Sequence, residues 1–131
     1  MSSKTPLHTI AVPSTGFVTP AYWDGKGASP AIRFGYDKNG IEYQAGIEFR
    51  RVLTMRKRAE RCCTTWHIEG SYDTLVEVED SPWVQEVRAD TNAQWRDKWE
   101  MHHYLIYLDS AGCFEAIAES WATLPEEAIS R

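Results

Sequence analysis

The sequence predicts an α+β domain built on an antiparallel, strongly twisted sheet of about five or six strands, with one main helix. Three observations predict it. Apolar and β-branched residues recur at every second position through long stretches on both sides of residue 70. Gly-bearing turns at Asp37–Gly40, Glu69–Ser71 and Ser110–Gly112 divide those stretches into three hairpins. One strong helix start, Asp80-Ser81-Pro82, stands between the second hairpin and the third. A half-open barrel rolled around that helix is the alternative closure.

Residues 1–29 carry Pro6, Pro13, Pro20, Gly16, Gly25 and Gly27 and show no periodicity. They read as an irregular arm with at most a short strand near Thr9 to Val12, pinned to the domain by Tyr22 and Trp23. Gly25-Lys26-Gly27 lacks the GxxxxGK[ST] spacing of a phosphate loop and reads as a turn. The single α+β domain spans 30–124. Its first strand sets Ile32, Phe34 and Tyr36 against Arg33 and Gly35. Asn39-Gly40 supplies the positive φ of a tight hairpin. The return strand keeps Ile41, Tyr43, Ala45, Ile47, Phe49, Leu53 and Met55 in one phase, with Gly46 as the place for a bulge.

From Cys62 the alternation resumes. Cys62, Thr64, Trp66 and Ile68 share one strand face, and Tyr72, Thr74, Val76 and Val78 share the next. Across the loop Glu69-Gly70-Ser71, Trp66 then faces Thr74 and His67 faces Asp73. Ser81 caps the helix, and Pro82 occupies its first turn, where a missing N–H costs nothing. Trp83, Val84 and Val87 form its apolar stripe. Asp90-Thr91-Asn92 cap a second short helical turn holding Trp95 and Trp99. In the last hairpin, 101–109 against 113–122, Tyr104, Ile106, Leu108, Phe114, Ala116 and Ala118 fall on one core face. The loop Ser110-Ala111-Gly112 sets His103 opposite Glu119 and Tyr107 opposite Glu115. Residues 125–131 read as a tail.

Composition narrows the function classes. A net charge of −5 at pH 7 argues against a nucleic-acid backbone as partner. No apolar run reaches eighteen residues and no signal-peptide core is present, so the chain reads as soluble and cytoplasmic, with no membrane partner. Three cysteines without framework spacing predict free thiols. His8, His67, His102 and His103 form no paired ligand spacing with them; Cys63 and His67 on a strand stand about 13 Å apart. Neither metal nor cofactor is implied. No GxSxG elbow is present, no cysteine sits at a strand-to-helix turn, and Cys113 reads as a small core-edge residue.

Three groups of residues remain as candidates. Six of the twelve residues 50–61 are basic, with Arg50, Arg56 and Arg58 on one side. They form either an anion patch or a solvated strand face beside the acidic strand that follows. His103 and Glu119 are the catalytic candidates, because a carboxylate facing an imidazole orients it and raises its basicity. Met101, Leu105, Tyr107, Ile117 and Trp121, with Glu115 at their edge, make the other face of the last hairpin too apolar for bare solvent. The first functional expectation is therefore a small non-catalytic binding or regulatory protein that meets a protein partner, or a second copy of itself, through that face. The alternatives are a small-ligand pocket lined by Trp66, His103, Tyr107 and Trp121, and a hydrolase or isomerase using His103 and Glu119.

Overall fold

A computed structural model describes residues 3–25, 29–96 and 98–129, Arg96 through its backbone alone. The Gly25-Lys26-Gly27 turn falls mostly outside the described residues. Nine strands are described: β1 (Lys4–Thr9), β2 (Phe17–Asp24), β3 (Ala31–Lys38), β4 (Ile41–Arg50), β5 (Thr54–Arg58), β6 (Thr74–Val78), β7 (His102–Leu108), β8 (Gly112–Ala118) and β9 (Ser120–Ala128). They form two antiparallel sheets rather than one, in the orders β1-β6-β7-β8-β5 and β2-β3-β4-β9. Neither sheet closes into a barrel. The main helix is α2 (Pro82–Asp90); α1 (Thr65–Ile68) and α3 (Ala93–Arg96) are single turns.

The sheets pack face to face. Ile32, Phe34, Ile47 and Phe49 from the four-stranded sheet meet Leu75, Tyr104, Ile106, Leu108 and Phe114 from the other, all essentially inaccessible to water. Phe49 lies 5.6 Å from Tyr104 and Trp23 lies 5.8 Å from Phe114, ring to ring across the interface. Each such side chain contributes roughly 1.5–3 kcal/mol through burial. The parity of β3, β4, β7 and β8 follows the sequence reading, and Asn39 and Gly40 both take the positive φ of a two-residue hairpin.

The differences are local and have physical causes. The 1–29 segment carries β1 and β2 where an irregular arm is expected, and residues 120–128, expected as the end of the last hairpin's strand and a tail from 125, form a separate strand, β9. These strands contain Pro6, Pro20 and Pro125, and each lies at a sheet edge, where a residue without an N–H breaks no ladder. The long phase through Met55 is split at Arg51, whose φ of 53° turns the chain out of β4 and into β5 of the opposite sheet. The expected strand over Cys62–Ile68 is instead a short 3₁₀ turn (Glu60–Cys62) followed by α1.

Capping decides that last case. His67 Nδ1 accepts from Thr64 N–H at 3.0 Å, closing the first turn of α1. Lys4 Nζ donates to the carbonyl oxygens of Trp66 and Glu69, satisfying its C-terminal end. Burial, with Arg58 nearby, lowers the His67 imidazole below its ordinary pKa, in keeping with its acceptor role. Trp66 and His67 therefore face neither Thr74 nor Asp73 across a hairpin.

The last hairpin is displaced by two residues. Its loop is Asp109–Ala111, and Leu108 pairs with Gly112, Tyr107 with Cys113 and His103 with Ile117. A shift of two preserves every face, so the core assignment survives while the cross-strand partners change. Gly112 fixes the turn, because its φ is 111° and any side chain there would bring a Cβ within 2.1 Å of Arg58 O. The outer face of this hairpin is covered as well. Cys63, Trp66 and Ile68 pack over Val76, Val78, Leu105, Tyr107 and Cys113 as a second core.

Candidate functional site

Between α1 and the start of α2 this outer layer leaves a cleft of about 270 Å³, lined chiefly by Arg56, Trp66, Ser81, Pro82, Trp83 and His103. Its base is a line of buried polar side chains. Ser81, His103 and Glu115 are 4 %, 3 % and 1 % exposed. His103 Nε2 lies 2.7 Å from Glu115 Oε1, and His103 Nδ1 lies 2.7 Å from Ser81 Oγ. His103 and Glu115 share the outer face of the five-stranded sheet because both occupy odd positions of β7 and β8.

Arg56 enters from the neighbouring edge strand, where it pairs directly with Glu115. Its Nε and Nη2 donate to the two carboxylate oxygens at 2.9 and 3.2 Å. Burial would raise the Glu115 pKa, but the hydrogen bonds from His103 and Arg56 outweigh it and hold the carboxyl down to about 2. The Arg56 guanidinium also sits 3.8 Å over the ring of Trp83, which meets His103 edge-on at 5.1 Å. Trp66 carries the Lys4 ammonium 4.4 Å from its ring centre. Beyond Arg56 lies a second depression, of about 260 Å³, with Lys57, Arg58 and Cys62 on its walls.

The sequence-derived candidates are dispersed. Glu119 lies at the bend between β8 and β9 and pairs with Arg51 at 3.1 Å; His103, which faces Ile117 across the ladder, reaches diagonally to Glu115 instead. Met101 is buried, and Tyr107 is buried beneath the outer layer of Cys63, Trp66 and Ile68; burial and the neighbouring Glu60 push the Tyr107 hydroxyl up to about 12. Trp121 sits on β9 opposite Phe49, its ring 5.7 Å from His8, in the other sheet. Arg50 also belongs to that sheet and pairs with Glu48, whereas Arg56 and Arg58 stand on β5, so the three arginines form no single patch. Trp66, His103, Glu115 and Arg56 are brought together.

Ser81, Pro82 and Trp83 of the cleft carried no functional reading in the sequence. Ser81 read as a cap and Trp83 as one member of an apolar stripe. The available signal was position, since a serine followed by proline stands at a strand-to-helix turn. Comparison with known protein families, curated proteins and solved structures finds no match. Among the described residues no His, Cys, Asp and Glu cluster could hold a metal ion, and no helix is long and apolar enough to cross a membrane.

Proposed function

We propose that this protein binds a small planar anion in the cleft formed by Arg56, Trp66 and Trp83. The observation that carries the reading is the way Arg56 is held. Two of its five N–H groups are committed to a buried carboxylate and its guanidinium carbon lies 3.8 Å over an indole, while the side chain remains about half-exposed at the cleft. The remaining N–H groups form a fixed edge for a carboxylate or phosphate, and little side-chain entropy is left to lose on binding. Trp66 and Trp83 offer apolar ring surface for a flat ligand, and Lys57 and Arg58 add positive charge beside it. A protein partner docking on Met101, Leu105 and Tyr107 draws less support, because the chain covers those side chains itself.

The test is a titration with benzoate, nicotinate and adenosine monophosphate, followed by ligand-observed NMR and calorimetry. At least one should bind with submillimolar affinity. Trp83→Ala and Arg56→Gln should each weaken it tenfold or more, while Trp121→Phe leaves it unchanged. Binding indifferent to Arg56 and Trp83, or no binding by any of the three, would overturn the reading.

A further inference from the structure

The strand-to-helix turn between β6 and α2 holds a group that ligand binding leaves unused. Ser81 Oγ accepts from Val84 N–H at 3.2 Å, which is all that a helix cap requires. The cap does not require a buried imidazole against the same hydroxyl, nor a buried carboxylate behind that imidazole. Desolvating such groups is costly unless every one is bonded.

The direction of the hydrogen bonds follows from the far end of the line. Glu115 is an ionised carboxylate gripped by Arg56, and a carboxylate only accepts. His103 Nε2 therefore carries hydrogen. In the neutral imidazole Nδ1 is then the bare nitrogen, and the Ser81 hydroxyl donates to it. Hydroxyl, imidazole and carboxylate thus stand in the proton order of a base-activated nucleophile, with the two ring nitrogens interchanged relative to the usual serine-hydrolase arrangement.

The surroundings suit that role. Ser81 lines both the 270 Å³ cleft and an adjoining depression of about 310 Å³ beside Gln85 and Met101. Asp80, immediately before it, is held at φ 50°, a left-handed conformation that bends the chain sharply into the helix. The Trp83 N–H occupies the second helical position, where no intrahelical acceptor exists, at the positive end of α2.

We infer that Ser81 is an acyl-accepting nucleophile, with His103 as its general base, Glu115 as the group orienting that base, and esters of planar acids as the substrate class. Only the substrate class rests on the ligand-binding reading. The Oγ–C bond forms as Nδ1 takes the hydroxyl proton. The ester C–O bond breaks, and the alcohol leaves with that proton. Water then attacks the acyl-serine by the same route, releasing the acid and restoring Ser81.

The full chain is treated with p-nitrophenyl acetate, p-nitrophenyl benzoate and a fluorophosphonate, then peptide-mapped by mass spectrometry. We expect one label per chain on Ser81, formed about a hundredfold faster than on the same peptide in urea-unfolded protein. Ser81→Ala should abolish it. Wild-type mapping decides the matter even if that variant folds poorly. A Ser81 left unlabelled by all three reagents, or labelled no faster than in unfolded protein, overturns the inference. Acetate is too small to need the indoles. If it labels Ser81 while no planar anion binds, the nucleophile stands and the ligand reading falls; planar-anion binding with an unlabelled Ser81 gives the reverse.

Discussion

Glu115→Gln removes the one negative charge that holds Arg56 and His103 together, in a side chain that is 1 % exposed. The amide cannot accept from both donors as a carboxylate does, and its own NH₂ is forced against one of them. The pKa displacement sets the magnitude. The carboxyl falls from an ordinary 4.5 to about 2 on folding, and at 1.36 kcal/mol per unit this amounts to about 3 kcal/mol at neutral pH. The pKa is depressed in the folded state, so this stability is complete above pH 4.5 and is lost as pH falls through 2. Urea unfolding of wild type and Glu115→Gln at pH 7 should therefore differ by about 3 kcal/mol. At pH 3 the same pair should differ by only about 1 kcal/mol, because the unfolded wild type is by then mostly protonated. A gap under about 1 kcal/mol at pH 7, or one that stays constant between the two pH values, refutes the argument.

Other substitutions test the frame around the site. Phe114→Ala empties a fully buried position between the sheets and should cost about 3–5 kcal/mol in chemical denaturation. Gly112→Ala drives a methyl against Arg58 O at a φ of 111°, so its melting temperature should fall by several degrees, with the β7–β8 amides losing hydrogen-exchange protection first. In a thiol titration of the native protein, exposed Cys62 should react at once while Cys113, buried and with its pKa pushed up, stays silent; after unfolding three thiols should be counted.

The inner strands were legible because both sides of each hairpin keep strict parity: Ile32, Phe34, Ile47, Phe49, Ile106 and Phe114 all fall where alternation puts them. The edges were not. Pro6, Pro20 and Pro125 erase the alternation of the strands they occupy, and edge strands are the ones that tolerate them. Cys62–Ile68 has strand-like composition, and only the local bond from Thr64 to His67, with Lys4 reaching in from β1, bends it into a helical turn. At the site, parity placed His103 and Glu115 on one face, but turn geometry chose the partner. Shifting the register by two residues sets Ile117 opposite His103 and Leu105 opposite Glu115, so His103 reaches Glu115 diagonally while Glu119 falls outside the ladder. Trp66 and Arg56 came to the cleft by tertiary packing, which no local pattern encodes.

Strands β1 and β9 also bear on how the molecule comes to be folded. Lys4 of β1 pairs with Val78, and Phe49 of β4 pairs with Trp121 of β9, each across about seventy positions of chain. Loops of that length close slowly, and a topology dominated by them folds in milliseconds to seconds rather than microseconds. On the ribosome β4 emerges long before β9 has been synthesised. Its outer ladder, next to the apolar Ile47 and Phe49, must wait without a partner. The vulnerable species is thus the nascent chain that has β4 but not yet β9, and a slowed or truncated synthesis would expose a ready template for intermolecular pairing.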